Sequence, residues 1–446
     1  MQKILIANRG EIALRIIKTC REMGIETVAV YSDADKDMPF VKAATKAIRI
    51  GEAPVNKSYL LTEAIIEAAR SEKVDAIHPG YGFLSENAVF AELVEREGMK
   101  FIGPTAKTIE MMGDKIVSRQ TMEKAGVPVV PGSGTGLQSM EEAIHLADSI
   151  GYPVMLKASS GGGGIGMVRC ENEQALVKAF DSTKARAKAY FGSDAVFLEK
   201  FISDSRHVEV QIFGDVHGNL VHLFERDCSI QRRHQKVVEE TPSPFLSENA
   251  KVKMYETALL AANAVGYINA GTIEFIVDEH ENFYFLEMNT RLQVEHPVTE
   301  QITGLDLVKW QILVARGEKL PLLQDEIKRQ GHAIEFRLYA EDPVRFLPSP
   351  GKITEWKWTD GQGVRIDNGY EEGNTVTPFY DPMIAKCIFF GENRKESLSR
   401  ADAFFRGLKI DGIKTNAQLF KEIIVDEEFQ KGDYTTNFLS KTNVKN

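Results

Sequence analysis

The chain of 446 residues has a formal net charge of −10, with 43% hydrophobic and 26% charged residues. The length predicts two or three domains, and the acidic balance argues against a nucleic-acid partner. No apolar run is long enough for a membrane span, and the N-terminus lacks a signal-peptide pattern. Cys20, Cys170, Cys228 and Cys387 form no C-x-x-C pair, which favours a reduced, cytoplasmic protein without a zinc site.

Strands and helices alternate over the first part of the chain. The predicted strands are 3–7, 27–31, 75–79 and 100–103, and the predicted helices are 11–24, 60–72 and 86–97. This alternation is typical of a parallel, doubly wound sheet, which places ligands beyond the carboxyl ends of its strands. Asn8-Arg9-Gly10 and His78 to Gly82 stand at such ends.

The pattern changes near residue 114. A helix at 114–126 precedes a small unit with predicted helices 140–150 and 172–190 and strands 153–158 and 195–201. Strands then dominate, at 207–215, 219–227, 271–278 and 282–289. We predict an α/β and α+β protein with a Rossmann-like domain 1–113, a domain 114–330 with a mobile lid at about 131–203, and a mixed α+β domain 331–446.

A glycine-rich segment, KASSGGGGIGM (157–167), follows the strand that ends in Lys157. Glycines allow backbone N–H groups to converge on an anion. The segment matches neither the P-loop nor the G-x-G-x-x-G pattern. It is typical of a mobile hairpin lid over a nucleotide held by the lysine, and a flexible surface hairpin without a ligand is the alternative.

Carboxylates cluster on two later strands. Glu274 lies in GTIEFIVD, and strand alternation puts Glu287 and Asn289 of FYFLEMN on one face. These oxygen ligands suit Mg²⁺, whereas a solvated strand face is the alternative. Arg291 and Glu295 follow in RLQVEHP. Arg291 is suited to bind an anion and Glu295 to accept a proton, and a structural ion pair between them is the alternative. The basic stretch 225–240 is interpreted as local positive charge for ATP and a second anion rather than for nucleic acid.

Several long motifs together resemble the biotin carboxylase family of the ATP-grasp superfamily. They are IANRGEIALRI (6–16), HPGYGFLSEN (78–87), KASSGGGGIGM, ERDCSIQRRHQK (225–236), FLEMNTRLQVEHPVTE (285–300) and TPFYDPMIAK (377–386). The resemblance covers essentially the whole chain. It implies an ATP-grasp fold with an N-terminal pre-ATP-grasp domain, a glycine-rich lid and a C-terminal biotin carboxylase domain.

The resemblance also implies roles for individual residues. Lys115 and Lys157 match the lysines that bind ATP phosphates, and Gly161, Gly162, Gly163, Gly164 and Gly166 match the lid. Glu199, Lys200 and Ile202 match the adenine-binding strand and hinge, and His207, Gln231 and His234 match further nucleotide contacts. Glu274, Glu287 and Asn289 match the metal ligands, with Glu274 and Glu287 also counted in the ATP site. Lys236, Arg291, Gln293 and Val294 match the bicarbonate pocket, Glu295 the general base, Arg337 the arginine that stabilises the biotin enolate, and Tyr81 a biotin contact. Ile165 departs from relatives that have Lys or Arg there, so backbone donors are expected to replace that contact.

The expected reaction is therefore the ATP- and bicarbonate-dependent carboxylation of biotin N1′ on a carrier protein, through carboxyphosphate, with two Mg²⁺ or Mn²⁺ ions. Acetyl-CoA carboxylase is the expected parent enzyme, and another acyl-CoA, pyruvate or urea carboxylase is the alternative. Two different functions are also compatible with the residues: a non-biotin ATP-grasp carboxylate–amine ligase, or an inactive nucleotide-binding scaffold. No biotinyl segment or transferase region occurs before Asn446, so we expect a separate carrier protein, a separate carboxyltransferase and a homodimer.

Overall fold

The computed structural model describes residues 1–159 and 166–441. Its N-terminal elements are β1 (Lys3–Ile6), α1 (Gly10–Glu22), β2 (Glu26–Ser32), α2 (Pro39–Ala43), β3 (Lys46–Gly51), α3 (Thr62–Glu72), β4 (Ala76–His78), α4 (Ala88–Arg96), β5 (Lys100–Phe101) and α5 (Ala106–Gly113). The strands form a parallel sheet in the order β3-β2-β1-β4-β5. Ile4, Leu5 and Ile6 of the central strand are fully buried, as in sheets covered on both faces. The predicted parallel, doubly wound sheet is confirmed.

The loops after β1 and β4 contact each other at the carboxyl edge of this sheet. Nδ2 of Asn8 donates to the carbonyl oxygens of Pro79, at 2.7 Å, and Tyr81, at 2.8 Å. Gly80 has a φ of +65°, and a Cβ there would lie 2.8 Å from Nδ2 of Asn8. Glycine is therefore required at this point of closest approach.

A smaller antiparallel sheet follows, in the order β7-β6-β8 among the described residues. The elements are α6 (Lys115–Lys124), α7 (Met140–Ile150), β6 (Val154–Ala158), β7 (Met167–Cys170), α8 (Glu173–Phe191) and β8 (Val196–Lys200). Apolar residues of β6 and β8, such as Leu156 and Leu198, pack with Ala143 and Ala147 of α7. The predicted glycine lid falls between β6 and β7, where Gly161 to Gly164 and Ile165 lie outside the described residues.

A large sheet forms the centre of the molecule, in the order β13-β12-β9-β10-β11-β14-β19-β17. Its first part contains β9 (Arg206–Gly214), β10 (Leu220–Arg232), β11 (Gln235–Thr241), α9 (Glu248–Ala264), β12 (Asn269–Val277), β13 (Phe283–Asn289), α10 (His296–Thr303) and α11 (Leu307–Ala315). The basic stretch within 225–240 is a hairpin of β10 and β11. The strand that we predicted at 219–227 therefore continues to Arg232, because cross-strand pairing extends it.

The C-terminal elements are β14 (His332–Tyr339), β15 (Gly351–Lys352), β16 (Glu355–Lys357), β17 (Val364–Asn368), β18 (Thr375–Val376), β19 (Met383–Gly391), α12 (Arg394–Gly407), β20 (Lys409–Asp411), α13 (Ala417–Val425), α14 (Glu427–Lys431) and α15 (Phe438–Lys441). Of these elements, β14, β19 and β17 complete the same sheet, whereas β15 pairs with β18 and β16 pairs with β20 in two small separate sheets. Strand β14 pairs with β11 on one side and β19 on the other. The sheet thus continues across residue 330. In the described part of the chain, no helix combines the length and apolar character needed to cross a bilayer.

Candidate active site

A cavity of about 1090 Å³ lies where the three sheets meet. The loops after β1 and β4 line one side, the small sheet another, and the large sheet its floor. Of the residues predicted from the sequence, the cavity is lined by Tyr81, Lys115, Lys157, Glu199, Lys200, Ile202, His207, Gln231, His234, Lys236, Glu274, Glu287, Asn289, Arg291, Gln293, Val294 and Arg337. Glu295 lies directly beneath the lining, whereas Gly166 does not contribute to it.

Lys236, on β11, is the central cation of the cavity floor. Its Nζ donates to Glu209 at 2.6 Å and to Glu274 and Glu295 at 2.7 Å each. Burial alone would lower the pKa of Lys236, but the three carboxylates raise it well above its usual value. Lys236 therefore stays charged, with its three donors directed at these carboxylates.

Glu295 is fully buried at the residue preceding α10. One oxygen accepts from Lys236, and the other accepts from Nη2 of Arg337 at 2.9 Å. Burial favours the neutral form, yet Lys236 and Arg337 hold the pKa of Glu295 well below its ordinary value. The carboxylate is therefore ionised at neutral pH and able to accept a proton.

The predicted metal ligands lie on two paired strands. Glu274 on β12 and Glu287 on β13 are register partners, and Nδ2 of Asn289 donates to Glu274 at 2.9 Å. Two carboxylates and an amide side chain thus share one wall of the cavity, and this donor chemistry fits Mg²⁺. Nζ of Lys115 lies 3.9 Å from Glu287, so a cationic side chain stands next to the same oxygens.

Two further groups of potential metal donors occur among the described residues: His207, Glu209 and Glu274, and Glu209, Cys228 and Glu295. Lys236 and Arg226 already neutralise these carboxylates, at 2.5 to 2.7 Å. We therefore interpret Glu209 and Glu295 as members of an ion-pair network beneath the cavity, which Glu274 links to the predicted metal ligands.

Arg291 has its guanidinium oriented by three side chains. Its Nε donates to Glu86 at 2.8 Å, Nη2 to Asn289 at 2.8 Å and Nη1 to Gln293 at 2.9 Å. Such a fixed planar fork suits a small planar anion. Gln293 also donates to Glu274 at 2.8 Å, which links the anion-binding side of the cavity to the metal-binding side.

The small sheet contributes the lysine that precedes the glycine-rich segment. Nζ of Lys157 lies 2.5 Å from Glu199, which also accepts from Arg119 at 3.1 Å. Lys200 instead donates to the carbonyl oxygens of Gly151 and Tyr152. On the large sheet, Nε2 of His207 lies 2.7 Å from Glu274, and Nδ1 lies 2.8 Å from Nε2 of Gln231.

Comparison with known proteins identifies the family to which the chain belongs. The chain matches the models of the biotin carboxylase N-terminal domain over residues 1–109, the carbamoyl-phosphate synthase L chain ATP binding domain over 114–323, and the biotin carboxylase C-terminal domain over 335–441. It is 57% identical to biotin carboxylase 2 of Bacillus subtilis, over 98% of this chain and 99% of that protein. The chain belongs to the biotin carboxylase family. It is accordingly an enzyme of the ATP-grasp type, as the sequence predicted.

Solved structures of biotin carboxylases share the whole fold. The structure from Campylobacter jejuni, described as a β,γ-ATP complex, has a TM-score of 0.97 and 47% identity, and the match covers 99% of this chain and 98% of that one. The biotin carboxylase domain dimer of 2-oxoglutarate carboxylase from Hydrogenobacter thermophilus has a TM-score of 0.96 and 46% identity, over 99% of this chain and 97% of that one. Its description names MgADP, ADP and bicarbonate.

Not every relative belongs to the same parent carboxylase. The propionyl-CoA carboxylase alpha chain of Ruegeria pomeroyi is 48% identical over 98% of this chain and 68% of that protein. Biotin carboxylase chemistry is therefore shown at the level of the family. The parent carboxylase, which we expected to be acetyl-CoA carboxylase, is not distinguished.

The sequence interpretation missed several groups in this biotin carboxylase cavity. The carboxylates Glu86 and Glu209 contact Arg291 and Lys236 directly. Strand alternation in HVEVQIFG places Glu209 on the face of His207, and this pattern could have indicated it. Thr436, Asn437, Leu439 and Ser440 also line the cavity. No local pattern indicates them, because the C-terminal segment reaches the cavity only through the tertiary fold.

Proposed function

We propose that the protein carboxylates N1′ of biotin on a biotin carboxyl carrier protein, using ATP, bicarbonate and Mg²⁺, through carboxyphosphate. The observation that carries this proposal is the arrangement of Glu295. One cavity holds a buried carboxylate between Lys236 and Arg337, and Lys236 also contacts Glu274 of the metal-ligand set. A base, anion donors and a phosphate-binding wall are thereby brought within one enclosed space.

The first step activates bicarbonate. Lys236 and the fork of Arg291 hold the anion, with Gln293 and the backbone at Val294 completing the pocket, and Glu295 accepts its proton. As Lys236 shifts its donors towards the substrate, Glu295 loses part of the interaction that lowers its pKa and becomes a stronger base. The bicarbonate oxygen attacks the γ-phosphorus of ATP, ADP leaves, and carboxyphosphate forms.

The nucleotide lies along the wall between the small and large sheets. Lys115 and Lys157 bind its phosphates, and Glu199, Lys200, Ile202, His207, Gln231 and His234 surround the adenosine, since all of them line the cavity. Glu274, Glu287 and Asn289 would hold Mg²⁺, which supplies charge neutralisation at the phosphates. Gly161 to Gly164 and Gly166 remain predicted as a lid that excludes water from carboxyphosphate.

The second step carboxylates biotin. Carboxyphosphate decays to CO₂ and phosphate, and the phosphate takes the proton from N1′. Arg337 stabilises the enolate, a role supported by its place in the cavity lining next to Glu295. The nucleophilic N1′ then adds to CO₂, while Tyr81 in the loop after β4 forms the biotin side of the cavity.

We further propose acetyl-CoA carboxylase in fatty acid synthesis as the parent enzyme, with a separate carrier and transferase, a homodimeric state and a cytoplasmic location. The predicted units 1–113, 114–330 and 331–446 would work as one catalytic body, since β14 joins β11 in a common sheet. Copurification with a biotinylated protein, followed by an assay for malonyl-CoA formation, tests the choice of parent enzyme.

The experiment for the main proposal measures transfer of label from ¹⁴C-bicarbonate to free biotin. Labelled carboxybiotin that requires both ATP and Mg²⁺ supports the proposal. ATP cleavage that ignores bicarbonate, or that is stimulated by an amine instead of biotin, would contradict it.

A further inference from the structure

Arg337 is shared between two buried carboxylates. Its Nη2 lies 2.9 Å from Oε2 of Glu295 and 2.5 Å from Oε1 of Glu239. Glu239 belongs to β11 and Arg337 to the adjacent strand β14. Both carboxylates are completely buried, so each contact is formed away from water, where charge pairing is strong.

Glu239 has a second carboxyl group beside it. Glu335 is its register partner on β14, and both side chains are 0% exposed. Glu239 has the ion-pair contact with Arg337, whereas Glu335 forms no ion pair or hydrogen bond through its carboxyl group within the described residues. Cβ atoms of register partners on neighbouring strands lie about 5 Å apart, and two buried carboxyl groups on such neighbouring positions do not both ionise.

Several titratable or charged groups in the described part of the chain act on this pair of carboxyl groups, and all of them except Lys236 are buried. They are Arg337 on β14, Lys236 on β11, Cys228 on β10, Glu295 before α10 and Lys386 on β19. Burial raises the pKa of Glu239 to about 7, with Arg337 opposing the shift. Burial raises the pKa of Glu335 well above its ordinary value. Because only Glu239 has the ion-pair contact with Arg337, the proton of the pair resides on Glu335, and Glu239 carries the negative charge above about pH 7.

The proposed transfer of a proton from bicarbonate to Glu295 makes the negative charge of Glu239 necessary. When Glu295 accepts the bicarbonate proton, it becomes neutral and its attraction for Arg337 falls. Arg337 is needed immediately afterwards, because it stabilises the biotin enolate. Without a second carboxylate beside it, the guanidinium of Arg337 would move away from the cavity floor or change its orientation there.

We propose that Glu239 is a positioning residue that keeps Arg337 in the cavity while Glu295 is protonated, and that Glu335 is its neutral partner. This inference rests on the proposed function, and in particular on the roles given there to Glu295 and Arg337. Glu239 touches neither substrate nor reacting atoms and acts only through Arg337. Glu239 thereby keeps Arg337 in place for biotin after Glu295, the base, has accepted its proton.

The test compares Glu239→Gln, Glu239→Asp and Glu335→Gln with wild type, and uses Glu279→Gln as a control because that side chain is 80% exposed. Carboxylation of free biotin and bicarbonate-dependent ATP cleavage without biotin are measured from about pH 6 to about pH 8.5. We expect Glu239→Gln to lower kcat for biotin about tenfold at the alkaline end, and at least threefold more than it lowers ATP cleavage. The deficit should shrink towards pH 6, where Glu239 of the wild type is itself protonated.

The other variants separate positioning from folding. Glu239→Asp keeps the charge and should recover most of the biotin activity, whereas Glu335→Gln exchanges one neutral group for another and should cause a smaller, pH-independent deficit. The inference would be overturned if Glu239→Gln lowered biotin carboxylation and ATP cleavage by the same factor at every pH. It would also be overturned if Glu239→Gln and Glu335→Gln had the same activities at every pH. If Glu239→Gln does not fold, Glu239→Asp decides: biotin activity no better than that of Glu335→Gln overturns the inference. Wild-type protein without biotin carboxylation would instead overturn the proposed function and this inference with it.

Discussion

Oε2 of Glu295 lies 2.9 Å from Nη2 of Arg337, although 42 positions separate the two residues in the chain. The contact joins the residue before α10 to strand β14, and it brings the proposed base of the first step next to the proposed enolate-stabilising group of the second. The groups proposed for bicarbonate activation and for biotin carboxylation thus lie next to each other at the floor of the cavity. The consequences can be measured residue by residue.

Glu295→Gln should lower bicarbonate-dependent ATP cleavage by on the order of 10²- to 10⁴-fold, because the amide cannot accept the proton. Nucleotide affinity should change much less, since Glu295 lies beneath the cavity lining. Steady-state kinetics and nucleotide titration by calorimetry measure the two effects. Glu279→Gln, at an 80% exposed position, is the control, and near-normal ATP cleavage by Glu295→Gln would remove it from the role of base.

Arg337→Lys should depress biotin carboxylation about tenfold or more beyond its effect on ATP cleavage, because lysine cannot reproduce the guanidinium contacts. Arg394→Lys is the matched control, since Arg394 also forms an ion pair with a buried carboxylate, Glu240, at 2.7 Å and 2.9 Å, and does not line the cavity. The control should lose thermal stability while keeping the ratio of the two activities. Equal loss of both activities in Arg337→Lys would indicate a structural role.

Much of this site could be predicted from residues alone. Strand alternation placed Glu287 and Asn289 on one face opposite Glu274, and the structure pairs Glu274 with Glu287. The assignment of each role came from the family resemblance, because a carboxylate pattern does not specify bicarbonate or biotin.

The sequence pattern does not identify helix α9 or strand β11. The buried residues of α9 lie on one side of the helix, but this side includes Lys251, whereas the apolar Val252 and Leu260 on the other side are exposed. The sequence therefore lacks the clear apolar stripe by which helices are predicted.

The ion pairs beneath the cavity were beyond prediction for a related reason. Lys236 contacts Glu209, Glu274 and Glu295, which come from three different segments. Periodicity shows which face a residue occupies within its own strand but not which strand lies next to it. For the same reason, the sequence does not predict that the large sheet continues into β14, which brings Arg337 to the cavity.

Glu287→Gln should raise the Mg²⁺ concentration required for half-maximal activity about tenfold, because one anionic ligand is removed. The side chain of Glu287 is 39% exposed, so the substitution should leave the melting temperature nearly unchanged. Activity titrations with Mg²⁺ at fixed ATP give the shift, again with Glu279→Gln as the control. An unchanged Mg²⁺ requirement would exclude Glu287 from the metal site.

His78 should make the fold sensitive to acid. It is fully buried at the end of β4, and burial lowers its pKa from 6.5 to about 3. The unfolded chain therefore binds a proton below about pH 6.5 that the folded chain does not, and the free energy of unfolding falls as the pH decreases from there. The expected loss from this residue is about 2 kcal/mol at about pH 5.

His78→Asn isolates this contribution. The amide oxygen of asparagine can replace Nδ1 as the acceptor of the backbone N–H of Gly80, which lies at 3.1 Å. Urea unfolding at several pH values should show a shallower loss of stability for the variant between about pH 6.5 and pH 5. Parallel curves for the variant and the wild type would show that His78 makes no such contribution.

The central claim is that an oxygen of bicarbonate attacks the terminal phosphorus of ATP beside Glu295 and Lys236. Turnover with ¹⁸O-labelled bicarbonate in unlabelled water, followed by mass spectrometry of the inorganic phosphate, tests it most directly. The account predicts one labelled oxygen in each phosphate released. Phosphate that carries oxygen from water alone would contradict it.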